Sequence, residues 1–304
     1  MNGSASSSVA GRRDGGGRGA ALALWLTAVA SIAGCQPNDY PIGRILASQR
    51  LAAPPPGAIE YLDRMAKTTR YSGRLAVNSL PARAGGLAVF FLRRDLDWER
   101  LRRQEADLMA LRDNCCALRD EATISCDSAF LETFLPSHVD YANLETTRTA
   151  FVRWVLGHEL GHVVLGQGGL HFAPAAERRQ GLRNLAIQRQ EYAADCWMIR
   201  RFLALYGKRD EADLEGLAMG FINFRLRETS GPPPAGVGIL YDYSRLDPYD
   251  FRGDASHPDL LLRSARLLHV AASVDTTTGL SVALRGFTAR LVPDPLWKDR
   301  GPCS

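Results

Sequence analysis

The stretch from Thr149 to Gly166, Thr-Ala-Phe-Val-Arg-Trp-Val-Leu-Gly-His-Glu-Leu-Gly-His-Val-Val-Leu-Gly, constrains this chain more than any other. Its apolar side chains fall on nearly every side at helical period, which predicts a helix buried in the core. Within it stand His158, Glu159 and His162, polar groups that a buried helix cannot carry without partners. His158 and His162 are four residues apart, so on a helix their Cβ atoms lie about 5–6 Å apart on one face. Gly157 and Gly161 leave room for a second element against that face, and Gly166 is a candidate C-cap.

Two imidazoles at that separation can converge on one zinc ion, and Glu159 stands beside the first of them, the H-E-x-x-H arrangement of zinc peptidases. A catalytic zinc takes three protein ligands and keeps an open position. One known source of the third ligand fails, since it needs glycine at 165 and histidine at 168, where this chain has Leu165 and Gly168. A better source is Arg189-Gln-Glu-Tyr-Ala-Ala-Asp195. Glu191 and Asp195 are the only acidic residues between Arg178 and Arg209, and they share a helix face with Met198, Phe202 and Leu205. Two carboxylates beside an apolar stripe repel each other and are costly to bury unpaired. Glu191 as third ligand, with Asp195 holding a ligand imidazole by its other ring nitrogen, satisfies both charges. Ala193 and Ala194 would let this helix approach the zinc helix closely.

His-Glu-Leu-Gly-His, then Glu-x-x-Ala-Asp, then Ser256-His257-Pro258 with Arg263, resembles the gluzincin metallopeptidases of the HtpX and CAAX-prenyl-protease type over about residues 122–270. The resemblance implies an α+β, mainly helical domain with a small sheet preceding the zinc helix. It also implies one Zn2+ per chain on His158, His162 and Glu191, with Glu159 as general base. His257 becomes a candidate catalytic residue at the metal or the oxyanion, although Ser256 and Pro258 read equally well as the capped start of a helix. Arg263 reads as a residue of the same motif or of a helix surface. No apolar run after residue 34 is long enough to span a membrane, so the likeness is to the soluble periplasmic lipoprotein branch. The implied activity is endopeptidase cleavage of cell-envelope proteins, misfolded ones included. The alternative is a zinc-binding lipoprotein that assists envelope assembly without cleaving.

Residues 1–34 read as a signal peptide, because the apolar run Ala20–Ala33 is shorter than the roughly 20 residues of a membrane span. Ile32-Ala33-Gly34-Cys35 resembles a lipobox, which implies lipid on Cys35, and Gln36 favours the outer membrane, facing the periplasm. Residues 35–58, with Ala-Pro-Pro-Pro-Gly at 53–57, then read as a flexible tether and 59–304 as the zinc metallopeptidase domain. Arg12, Arg13 and Arg18 against Asp14 account for half of the formal charge of +4. The nearly neutral remainder gives no electrostatic reason to expect nucleic acid, and protein or peptide substrates and the membrane are the expected partners.

Cys115 or Cys116 is placed to pair with Cys126, and no C-x-x-C pair suggests a cysteine-bound zinc. Further helices are expected near 59–70, 95–113, 145–166, 174–206, 210–228 and 258–272. Strands are expected at 85–92, at 122–127 and near 280–284, and an extended substrate is expected to add at 122–127. The loop at 230–256 holds Tyr241 and Tyr243, weak candidates for an oxyanion donor.

Overall fold

The computed structural model describes residues 41–104, 108, 111–118, 121–138, 144–167, 187–206, 217–218 and 263–264. The lipobox with Cys35, His257, the 230–256 loop and the strand expected near 280–284 lie outside the described residues. So do residues 174–186 and most of 210–228 and 258–272.

The described residues begin with α1 (Pro41–Ala47) and α2 (Ala58–Ala66), then β1 (Leu75–Val77), β2 (Leu87–Leu92), α3 (Trp98–Gln104), β3 (Cys115–Leu118) and β4 (Thr123–Asp127). α4 (Ser128–His138) and the long α5 (Leu144–Leu165) follow, and residues 187–206 are helical throughout and are called α6. The fold is α+β: helices cover a small mixed sheet of order β1-β2-β4-β3. β1, β2 and β4 run parallel, with Val77 opposite Val89 and Val89 opposite Ile124. β3 returns antiparallel on β4 as a hairpin, Leu118 facing Thr123 and Cys115 facing Cys126.

Alternation along the strands divides the core into two layers. Leu87, Val89, Phe91, Ile124 and Cys126 pack with Tyr61, Leu62 and Met65 of α2 and with α5. Ala88, Phe90, Leu92 and Leu118 face the other way, onto Leu46 of α1 and Trp98 and Leu101 of α3. β2 is buried at all six positions, as a central parallel strand covered on both faces must be. α5 is buried around most of its circumference, including Phe151, Trp154, Leu156 and Leu160. It ends as its sequence predicts. Gly166 has φ 67°, its N–H reaches the Val163 carbonyl at 3.3 Å and the Gln167 N–H reaches that of His162 at 2.8 Å, the paired bonds of a Schellman cap.

Three expectations change. The flexible tether does not extend over 41–58, because α1 is docked with Leu46 fully buried. Beyond it Leu51 bridges to Leu92, and the Ala52 N–H donates to the Phe91 carbonyl at 2.7 Å. Ile42, Ile45 and Leu46 form the apolar face that seats this segment, and the proline run after it is a stiff spacer rather than a loose one. The single helix expected at 95–113 is interrupted, with α3 stopping at Gln104 and Leu108 and Leu111 buried in 3-10 turns. Finally, the strand at 122–127 cannot accept a substrate strand. β4 is flanked by β2 and β3, so both of its hydrogen-bonding edges are used. Among the described residues β3 is the outer strand on this side.

Cys115 and Cys126 form a disulfide with Cα atoms 4.0 Å apart, a cross-strand pair set by the hairpin register. Cys116 points to the opposite face of the sheet and keeps its thiol. Cys196 is also disulfide-bonded.

Candidate metal centre

The site is built where α5 and α6 cross. A methyl group on Gly161 would sit 2.9 Å from the Ala194 carbonyl oxygen, and one on Gly157 would overlap Tyr61 Oη and Met198 Cγ. Only glycine permits α6 to come this close, which brings Glu191 and Asp195 under His158 and His162. All four side chains are buried.

His158 Nε2 lies 3.0 Å from His162 Nε2 and 3.2 Å from Glu191 Oε2, and Glu191 Oε1 lies 3.4 Å from His162 Nε2. Two imidazole nitrogens cannot face each other at that distance with lone pairs only, so a proton or a cation must stand between them. Ligands of a tetrahedral ion with bonds of 2.0–2.1 Å are about 3.3–3.4 Å apart, close to these spacings. His158, His162 and Glu191 therefore form a buried group that can hold a metal ion. The donor set fits the group that the sequence implies.

Asp195 Oδ1 is 2.8 Å from His158 Nδ1. An ionised carboxylate can only accept, so a proton sits on Nδ1 whether the ring is neutral or charged, and Nε2 faces Glu191 and His162. Asp195 is in turn gripped by Arg263, whose Nε donates to Oδ2 at 2.9 Å and Nη2 to Oδ1 at 2.8 Å. The guanidinium lies over the Trp154 ring at 5.6 Å and 3.8 Å from Glu191 Oε2. Arg263 is thus no surface residue. Its side chain is 12% exposed and is the cation that balances the carboxylates.

The electrostatics follow from this packing. Burial favours neutral Asp195, but Arg263 and His158 outweigh it and hold the carboxyl well below the usual carboxylate range. Burial likewise opposes ionised Glu191, and hydrogen bonds from both imidazoles win, so it too stays ionised. For His158, burial and Arg263 disfavour the charged ring, yet Asp195 and Glu191 raise it to about 9. Glu159 differs. Burial pushes its carboxyl above the ordinary value despite the two histidines, and its Oε2 accepts the Ala117 N–H of β3 at 2.7 Å. The Cys116 thiol is pushed well up by burial, then by Glu159 and Glu191, so it stays protonated and is a poor metal ligand.

Sequence reasoning missed β3 and the contact that Ala117 makes. Four residues of Cys-Cys-Ala-Leu carry no alternation and little β signal, so only hairpin pairing reveals them. No protein-family model, curated protein or solved structure matches the chain.

Proposed function

We propose that this protein is a zinc-dependent endopeptidase of the gluzincin type that acts on cell-envelope proteins. The observation that carries the reading is a buried His-His-Glu donor set with a further carboxylate, Glu159, beside it and not among its members. A purely structural zinc would usually have four protein ligands. Zinc, when bound here, supplies a Lewis acid that polarises a carbonyl and makes a water acidic.

The chain's own residues do the rest. Glu159, made more basic by burial, takes a proton from the attacking water and passes it to the leaving amine. Its Oε2 is held by the Ala117 N–H, which fixes the carboxylate at the outer strand of the sheet. Asp195 and Arg263 orient His158. An extended peptide would pair with the outer strand β3, not with β4, and so run past Glu159. The lipobox supports attachment through Cys35, which would hold the enzyme at the membrane face of the periplasm; none of the helices among the described residues is long and apolar enough to cross a membrane.

The test is cleavage of an unfolded-protein mixture by the full-length chain, read by mass spectrometry beside a zinc-loaded Glu159→Gln control. Peptides should arise from the wild type, with turnover lower in the control by about 10²–10⁴-fold. Absence of cleavage by either zinc-loaded protein would reject the peptidase and favour the non-cleaving assembly factor.

A further inference from the structure

β3 is fixed near both ends, at one by its hairpin partner and at the other by a helix far away in sequence. At its start, Cys115 is bonded to Cys126. At the turn that closes the hairpin stands Glu121, only 6% exposed. Its two carboxylate oxygens accept the N–H groups of Ile42 and Gly43 at 2.7 and 2.8 Å. These amides belong to the first turn of α1 and have no partner within the helix. A carboxylate that accepts them makes two charge-assisted hydrogen bonds, stronger than neutral ones. α1 is itself immobilised by Leu46 in the core and by the Ala52 bond to Phe91. Ala117, whose N–H holds Glu159, lies between the two attachments. Glu121 belongs to neither the metal-holding group nor the outer strand, yet it sits at the turn that aligns that strand.

Resting on the peptidase reading, we infer that Glu121 is a positioning residue. By clamping the hairpin turn to α1 it keeps the Ala117 amide on Glu159. Residues 41–52 are then part of the catalytic apparatus and not a spacer behind the lipid-attachment position. The disulfide secures one end of β3 and the N-terminal helix secures the other.

The experiment uses full-length, zinc-loaded protein carrying Glu121→Gln, with Leu101→Ala as a control that loosens the same apolar layer without touching Glu121. Hydrogen exchange at Ala117 is measured relative to β2, together with kcat, KM and zinc content. Glu121→Gln should speed relative exchange at Ala117 and lower kcat by about tenfold each, with KM within about twofold and zinc retained. Leu101→Ala should lower Tm and leave the exchange ratio unchanged. A second variant, Ile42→Pro, removes one donor where a first turn tolerates proline together with an apolar contact that Ile42→Ala removes alone; its excess over Ile42→Ala should reproduce the effect at smaller size, even where Glu121→Gln folds poorly. The inference is overturned when the Glu121 and Ile42 variants leave Ala117 exchange within twofold of wild type, or when Leu101→Ala shifts it equally. Should the wild type cleave nothing, the peptidase reading fails, and the exchange ratio alone decides whether the clamp exists.

Discussion

The two faces of the sheet solve opposite problems with the same four strands. On one face Ala88, Phe90, Leu92 and Leu118 meet α1 and α3 through apolar side chains. Behind the other face, α5 and α6 bury two histidines, three carboxylates and an arginine. The first layer stabilises by removing apolar surface from water, about 1.5–3 kcal/mol for each large side chain. The second survives because each buried charge has an opposite charge or a metal to answer it. Burial there serves to place groups whose protonation the surroundings control.

The comparison predicts that equal losses of stability will have unequal consequences. Phe90→Ala should destabilise by about 3–5 kcal/mol through an unfilled cavity, with zinc affinity of the folded fraction unchanged in titration. Asp195→Asn should destabilise by a similar ~3–5 kcal/mol, because it strands the Arg263 charge, and should also weaken zinc binding about 10–100-fold. Pairing it with Arg263→Met should restore much of the stability, since a buried ion pair is often replaceable by apolar groups, while zinc affinity stays low. A double variant that recovered both would show that Asp195 serves the core and not the metal.

Gly161→Ala is the next effect in size. The added methyl meets backbone at Ala194, so α6 must shift, at about 1–3 kcal/mol, and calorimetry with zinc titration should register both the shift and weaker binding. The same exchange at Gly166, where φ is positive and space is open, should reduce stability through the cap alone and spare the metal.

The last contrast concerns pH and separates the layers most cleanly. In metal-free protein His158 is raised from 6.5 to about 9. A raised folded value means that its contribution to stability is full below pH 6.5 and is lost as pH rises through 9. Zinc requires the neutral ring, so affinity should run the other way, gaining about tenfold per unit up to pH 9 from this proton and then levelling. Denaturation of the metal-free form and zinc titration across pH 6–10 should show slopes of opposite sign, and parallel slopes would remove His158 from the donor set.

Much of the second layer was legible in the sequence. An apolar helix carrying His158, Glu159 and His162 has few physical solutions, and the isolated acidic pair Glu191 and Asp195 supplies what they lack. Helical spacing is local, so residues four apart share a face whatever the rest of the chain does. The Gly166 cap is local for the same reason. The first layer was harder to read: α1 resembled a tether because seven residues form a marginal helix until a sheet covers their apolar face.

The sequence by itself determined which side chains could hold a metal and which could move a proton. Only the tertiary structure decided that β4 is interior and β3 outermost, that Cys115 rather than Cys116 pairs with Cys126, and that Arg263 closes the charge balance around Asp195. It also decided that Ala117 donates to Glu159 and that Glu121 receives the amides of Ile42 and Gly43. Those are contacts between segments about 40 to 80 residues apart. Periodicity records only which way a residue faces on its own element, whereas strand order and helix crossing are fixed by how all the apolar faces are buried together.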